Sequence, residues 1–172
     1  MIYWPLSVLS KLFPAENVLV STDSDQIKAT VEKKGLIVPF KRPEELSDDF
    51  TGTAEVVKHA VEWFETNVRK VDYVLTVYPT AVLLSKSDLL MAMETLYHDP
   101  QSDSIMSATS FPFPIQRAVF ENKKGYAEMF EPNNYSARSQ DLVEAKHDAG
   151  QFYLNRVQMV RSGKLLTNSN VK

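Results

Sequence analysis

The helix Thr53-Ala-Glu-Val-Val-Lys-His-Ala-Val-Glu-Trp-Phe-Glu-Thr-Asn67 is followed, after four residues, by Asp72-Tyr-Val-Leu-Thr-Val-Tyr78-Pro79. In the first stretch Val57, Ala60, Val61 and Phe64 recur at helical spacing, giving one apolar face. Thr53 is a residue type that can cap such a helix. The second stretch is a short apolar run closed by Pro79, which cannot donate to a ladder, so it reads as a buried strand.

The same alternation extends outward. Met1 to Phe13 reads as an amphipathic helix with Trp4, Val8 and Leu12 at steps of four. Val18 to Ser21 reads as a buried strand and Leu36 to Phe40 as another. Between them, Asp23 to Lys34 reads as a helix capped by Asp23 or Ser24, with Ile27 and Val31 inward and Gly35 past its end. Lys41 to Gly52 is a loop. Downstream, Ser85 to Asp99 predicts a helix with Leu89, Met93 and Leu96 inward, and Ile105 to Thr109 a strand. Ala118 to Phe130 predicts a hairpin turning at Gly125, and Gln151 to Leu154 a further strand. Repeated strand, loop and helix imply an α/β fold with a parallel sheet covered on both faces. Residues about 110 to 146 read as an excursion from a single domain spanning 1 to 172.

Composition narrows the chemistry. The chain has 172 residues, 19 basic and 22 acidic, for a net charge of −3. With 44% hydrophobic residues it can bury a core. Its five glycines are scattered, no two closer than 13 positions, which excludes a P-loop or a dinucleotide-binding glycine cluster. The absence of cysteine excludes thiolate zinc, iron–sulfur and disulfide chemistry. His59, His98 and His147 lie too far apart for a helical metal pair. Mild acidity argues against nucleic acid as a partner. No apolar stretch is long enough to span a membrane, and the amino-terminal one lacks the basic lead of a secretory signal, so the cytoplasm is the expected location.

In open α/β sheets ligands sit beyond the carboxyl ends of the strands. Ser21-Thr-Asp23, Arg42 to Thr53 and Tyr78-Pro-Thr80 are therefore the expected site. Arg42 offers a fork of donors for phosphate or carboxylate, and is equally an ordinary loop arginine. Thr51-Gly52-Thr53 opens a helix, where free N–H groups bind anions, and is equally a plain cap. Asp23, Asp25, Asp48 and Asp49 are oxygen ligands for Mg²⁺ on one reading, and a cap and solvated carboxylates on the other. Arg138-Ser-Gln-Asp141 and His147-Asp-Ala-Gly-Gln-Phe-Tyr153 form the densest polar and aromatic cluster, suited to a carboxylated, hydroxylated ligand or to a hairpin tip.

Several segments taken together add a family. Ser21-Thr-Asp-Ser-Asp-Gln-Ile27, Arg42-Pro-Glu-Glu-Leu-Ser-Asp48, the threonines before Val56, Tyr78-Pro-Thr80, Arg138-Ser-Gln-Asp-Leu142 and Asp148-Ala-Gly-Gln-Phe-Tyr153 occur in order. Their combination resembles the cytidylyltransferases that activate nonulosonic acids, the CMP-sialic acid synthetase family. Phe113-Pro-Ile-Gln-Arg117 and His147 to Tyr153 look most like its pseudaminic acid branch. The resemblance runs from about Met1 to about Arg161. It implies a three-layer, Rossmann-like nucleotidyltransferase fold (GT-A-like) with a mixed, mostly parallel sheet and a small β dimerisation arm. It implies transfer of CMP from CTP to a pseudaminic or sialic acid, with release of pyrophosphate. It implies Mg²⁺ as cofactor, a homodimer, and no nucleic acid or membrane partner.

Carried over by position, the resemblance places Arg42, Thr51 and Thr53 at the nucleotide. It places Tyr78, Arg138, Gln140, Asp148 and Tyr153 at the sugar acid. It names no catalytic residue and no metal ligand in this chain. The family's glycine- and lysine-rich phosphate loop belongs ahead of Met1 and its metal-binding aspartates beyond Lys172. The resemblance therefore implies a chain short at both ends, lacking the first strand, with a sheet edge or gap beside Val18 to Ser21 and with weak or no turnover. The alternative is a non-catalytic homologue that only binds nucleotide or sugar acid.

Overall fold

A computed structural model describes residues 1–164 and 170–172. The helices and strands run α1 (Tyr3–Leu9), α2 (Asp25–Glu32), α3 (Thr53–Asn67), β1 (Tyr73–Val77), α4 (Lys86–His98), β2 (Ser104–Ser110), β3 (Val119–Glu121), β4 (Ala127–Met129), β5 (Lys146–Arg156) and α5 (Val157–Arg161). The chain divides into two compact units, Met1–Met106 with Gly150–Lys172, and Ser107–Ala149.

The first unit holds every buried apolar side chain among the described residues. β1 lies at the edge of a sheet of order β1-β5-β2 and pairs antiparallel with β5, Val74 opposite Asn155 and Thr76 opposite Tyr153. Alternate β1 side chains face opposite ways, as strand geometry requires. Leu75 and Val77 join a cluster built on Leu89, Ala92 and Leu96 of α4, with Phe152 and Leu154 of β5. Val74 joins a second cluster of Val57 and Val61 from α3 with Val157 and Val160 from α5. Helices thus cover both faces of the sheet, in the three layers expected. Burying a side chain such as Leu89 or Leu96 contributes about 1.5–3 kcal/mol.

Local chemistry explains where the helices begin and end. Ser24, not Asp23, caps α2 by accepting the Ile27 N–H (3.3 Å), and Ser85 caps α4 by accepting from Asp88 (3.1 Å). Gly35, at φ +74°, stands just past α2 in a conformation that suits glycine. α3 starts at Thr53 as read, but Gly52 occupies the cap position and makes no side-chain cap bond. The Thr53 hydroxyl is engaged elsewhere. α1 is shorter than read, and its buried side is Pro5 and Leu6, while Trp4 is exposed.

Val18 to Ser21 and Leu36 to Phe40 form no assigned ladder, although a third cluster holds Leu36 and Val38 buried with Leu6 and Val31 and packs Val18 and Val20 against them. Apolar character buried these segments, but a ladder also needs a neighbouring strand in register. The link found there is the Arg42 N–H donating to the Thr22 carbonyl (2.9 Å).

The second unit is a hairpin with flanking turns. Val119 pairs with Met129 and Glu121 with Ala127 across a turn in which Gly125 takes φ +83°. The Asn122 carboxamide oxygen accepts from the Lys124 and Tyr126 amides, fixing that turn.

Candidate functional site

The first unit contains a cavity of about 1250 Å³. Its polar end is built from three loops of the kind the topology singles out: Ser21 to Asp23, Arg42 to Thr53, and Tyr78-Pro79 beyond β1. Arg42, Thr51, Thr53 and Tyr78, read separately from the sequence, all line this one cavity.

Arg42 ties the first two loops together. Its Nη2 donates to Asp23 Oδ1 (3.1 Å) and its Nε to Ser47 Oγ (3.1 Å), while Ser47 Oγ donates to the Pro43 carbonyl (2.8 Å). The side chain is mostly buried, at 23% exposure, so its orientation is set before any ligand arrives. Nη1 keeps no hydrogen-bond partner among the described residues, leaving donors for an anion.

Thr51 is held by a turn. Asp48 Oδ1 accepts the Thr51 N–H (2.6 Å) and the Phe50 N–H (3.0 Å). The Thr51 hydroxyl and amide, then the Phe50 amide, hold the Asp48 carboxyl below its ordinary value. The amide contact is the firm one, because the hydroxyl donates its single proton to the Glu45 carbonyl oxygen, with Oγ1 and O 3.2 Å apart. The turn presents the first residues of α3, whose unpaired N–H groups carry partial positive charge.

Thr53 Oγ1 and Tyr78 Oη share a hydrogen bond of 2.9 Å. It joins the start of α3 to the end of β1. The Tyr78 ring stands edge-on to Tyr153, with centroids 5.7 Å apart at 81°. Tyr153 is 4% exposed and is not among the residues lining the cavity, so here it supports Tyr78 from beneath.

Two of the other carboxylates take structural partners. Asp25 pairs with Lys41 (3.1 Å) and Asp23 with Arg42. Among the described residues no three histidine, aspartate or glutamate side chains converge to hold a metal ion. His59 and His147 pack against Phe40 (4.8 Å) and Phe111 (4.7 Å) respectively, and His98 against Tyr97 (5.2 Å).

The second unit carries Arg138, Gln140 and Asp148, all exposed. Arg138 grips Asp141 with both arms of its fork, Nε to Oδ2 at 2.6 Å and Nη2 to Oδ1 at 3.1 Å. The His147 Nδ1 lies 2.8 Å from the Asp148 carbonyl oxygen. Asp23 and Asp48 were singled out in the sequence only as caps, ligands or solvated groups. Their roles as anchors of Arg42 and Thr51 depend on loop conformations that spacing does not reveal.

The first unit is a three-layer α/β fold with a polar cavity beyond the end of β1, lined by an arginine and the start of a helix. The same fold occurs in a CMP:2-keto-3-deoxy-manno-octonic acid synthetase complexed with CTP, with TM-score 0.55 and 16% identity over 84% of this chain and 58% of that one. It occurs also in a 4-diphosphocytidyl-2C-methyl-D-erythritol synthase from Anaerococcus prevotii, with TM-score 0.59 and 12% identity over 94% and 64% of the two chains. Residues 1–164 match the sequence model of the cytidylyltransferases, and the chain belongs to that family. A pseudaminic acid cytidylyltransferase of Campylobacter jejuni is 39% identical over 138 residues, 80% of this chain. A two-function protein of Helicobacter pylori, a pseudaminic acid cytidylyltransferase and UDP-2,4-diacetamido-2,4,6-trideoxy-beta-L-altropyranose hydrolase, is 28% identical over 99% of this chain and 32% of its own length. The chain spans 59% of the length of the Campylobacter relative.

Proposed function

We propose that this chain carries the nucleotide- and sugar-acid-binding part of a cytidylyltransferase that moves CMP from CTP to a nonulosonic acid of the pseudaminic type. One observation carries the reading: Arg42, Thr51 and Thr53, from the loop that leads into α3, and Tyr78, beyond β1, converge on one cavity. In the reaction the sugar's anomeric hydroxyl oxygen forms a bond to the α-phosphorus of CTP. The bond from that phosphorus to the bridging oxygen breaks, pyrophosphate leaves with the electron pair, and the hydroxyl proton passes to solvent. Such transfers are governed by positioning and charge neutralisation.

Arg42 supplies donors to an anionic oxygen, and Thr51 and Thr53 at the start of α3 face the cytosine and ribose. Tyr78, braced by Tyr153, meets the sugar acid. On the resemblance alone, Arg138, Gln140 and Asp148 are also proposed as sugar-acid residues; within the second unit Arg138 pairs with Asp141. The exposed Phe113, Val119, Tyr126, Phe130, Tyr135 and Val143 of the second unit support a contact with a second copy of the chain. No helix among the described residues is long and apolar enough to cross a membrane, and a CTP-dependent reaction fits the cytoplasm.

Scarcity of glycine favours a second reading. The 172 residues hold no glycine-rich cradle for a triphosphate, so binding is expected to outlast turnover. Calorimetric titration with CTP and CMP, beside an assay of pyrophosphate release with pseudaminic acid, tests both readings. Affinity for CMP that Arg42→Ala weakens by roughly tenfold or more, as loss of a charge-assisted bond predicts, supports the site. Affinity without turnover selects the binding-only reading. Absence of any cytidine-nucleotide affinity would overturn both.

A further inference from the structure

Two segments singled out in the sequence, Phe113-Pro-Ile-Gln-Arg117 and Arg138-Ser-Gln-Asp-Leu142, lie outside the cavity and meet within the second unit. Each closes into a single 3₁₀ turn. The Arg117 N–H donates to the Pro114 carbonyl (3.0 Å), and the Asp141 N–H to the Arg138 carbonyl (3.0 Å). Two side-chain bonds then dock one turn on the other. Gln116 Nε2 donates to the Val143 carbonyl (2.8 Å), 27 positions away in sequence. Arg117 Nη1 donates to Ser139 Oγ (3.4 Å), 22 positions away. Short-range turns fix the backbone, and these longer-range bonds fix which side chains share a surface.

The second unit holds two arginines, Arg117 and Arg138, in opposite electrostatic states. Arg138 has its fork filled by Asp141, and that pair also closes the turn it spans. A ligand carboxylate that took Arg138 would break one bidentate pair to make another, and would strip Asp141 of its cation. Arg117 is exposed and forms no ion pair among the described residues. Its Nε and Nη2 donors have no hydrogen-bond partner there either. Neighbouring carboxylates are turned to neutral groups: Glu128 accepts from Asn122, Glu131 from Asn134 and Glu144 from Ser110. Ser139 Oγ accepts from Arg117, which leaves the hydroxyl's own proton to donate beside the same guanidinium. An arginine fork flanked by a hydroxyl donor matches the two oxygens of a carboxylate.

We infer that Arg117, with the Ser139 hydroxyl, takes the carboxylate of the sugar acid in the second unit, and that Arg138 is a positioning residue that holds Ser139 in place through Asp141. The inference rests on the proposed nonulosonic acid substrate and names the group that meets its charge. Pairing with Arg117 forms a new ion pair at no loss of an old one, whereas pairing with Arg138 only exchanges partners. An exposed pair contributes modestly and is screened by salt. The informative measurement is therefore a comparison of two charge states of one ligand, at low ionic strength, and not an absolute affinity.

Pseudaminic acid and its methyl ester, which differ in the charge of one group, are titrated into the whole chain by calorimetry, with CMP as a separate ligand. The acid is expected to bind about fivefold or more tighter than the ester. Arg117→Ala should erase that difference, dropping the acid to the level of the ester while the ester and CMP bind as before. Arg117→Lys, which keeps the charge without the fork, should restore part of it. Arg138→Ala should weaken acid and ester alike, because it loosens the turn and not the charge contact. Equal weakening of acid and ester by Arg117→Ala would make Arg117 a structural residue and overturn the inference. A difference that survives Arg117→Ala and disappears in Arg138→Ala would also overturn it and return the carboxylate to Arg138. In both of those cases the sugar still binds, so the proposed function stands without the inference. Binding of CMP with no affinity for either form of the sugar would remove the sugar half of the proposed function, and the inference with it.

Discussion

The residues that matter most at the candidate site are fixed by neighbours a sequence does not display. Thr53 sits where a capping residue is expected, yet its hydroxyl serves Tyr78 and not the helix. Thr53→Val keeps the shape and removes the bond, as does Tyr78→Phe from the other side. Each is expected to cost about 1 kcal/mol of unfolding free energy. The double variant should cost clearly less than the sum of the two, which denaturant unfolding in a mutant cycle reads directly. Strict additivity would mean that the pair does not couple the start of α3 to the end of β1. Asp48 gives a pH signature of its own. Its carboxyl is held below the ordinary 3.8, so the turn it organises is stabilised at pH values above that figure and loses this stabilisation as pH falls through the lowered folded value. Carboxylate chemical shifts should titrate Asp48 below the ordinary value and move the Thr51 amide with it. In Thr51→Pro, which removes the donated N–H, the Asp48 midpoint should return toward 3.8.

At the scale of elements, local signals were read well and pairing signals were not. The bounds of α3 were legible because fifteen residues carry one uninterrupted helical period. The hairpin at Gly125 and the end of α2 at Gly35 were legible because glycine marks left-handed turns, here at φ +83° and +74°. That mark makes a prediction. A Cβ at Gly35 would meet nothing within 4 Å, so Gly35→Ala carries backbone strain without a clash. It should destabilise the chain by roughly 1–2 kcal/mol, and Gly35→Asn by less, because asparagine tolerates that conformation better. Equal losses in thermal unfolding would point to a cause other than backbone conformation. Trp4 defeated the helical count, because α1 spans only seven residues and so short a stretch does not fix which side turns inward. Val18 to Ser21 and Leu36 to Phe40 read as strands because apolar runs report burial. A ladder is a property of two segments in register, and neither segment's composition encodes the other's.

For the whole molecule, the division of buried surface separates the two units sharply. All three apolar clusters belong to Met1–Met106 with Gly150–Lys172, and among the described residues Ser107–Ala149 contains no side chain classed as buried. A segment without a core of its own has little to set against the conformational entropy of ordering it. The hydrogen bonds of the β3–β4 hairpin are solvent-exposed, and a two-stranded hairpin alone is marginal in water. Native-state hydrogen exchange should therefore resolve two levels. Amides of β1 and β5 that bond to each other, such as Val74 and Leu154's neighbour Asn155, should open only near the global unfolding free energy. Amides of β3 and β4 should open at a small fraction of it. If the exposed aromatic side chains around Phe120 and Phe130, whose rings lie 4.9 Å apart, meet a second copy, that difference should shrink as protein concentration rises. Mass action requires such a response of a self-associating surface and forbids it of an isolated one. Hairpin protection as high as that of β5 and constant across a hundredfold dilution would show that the second unit needs no partner to hold its fold.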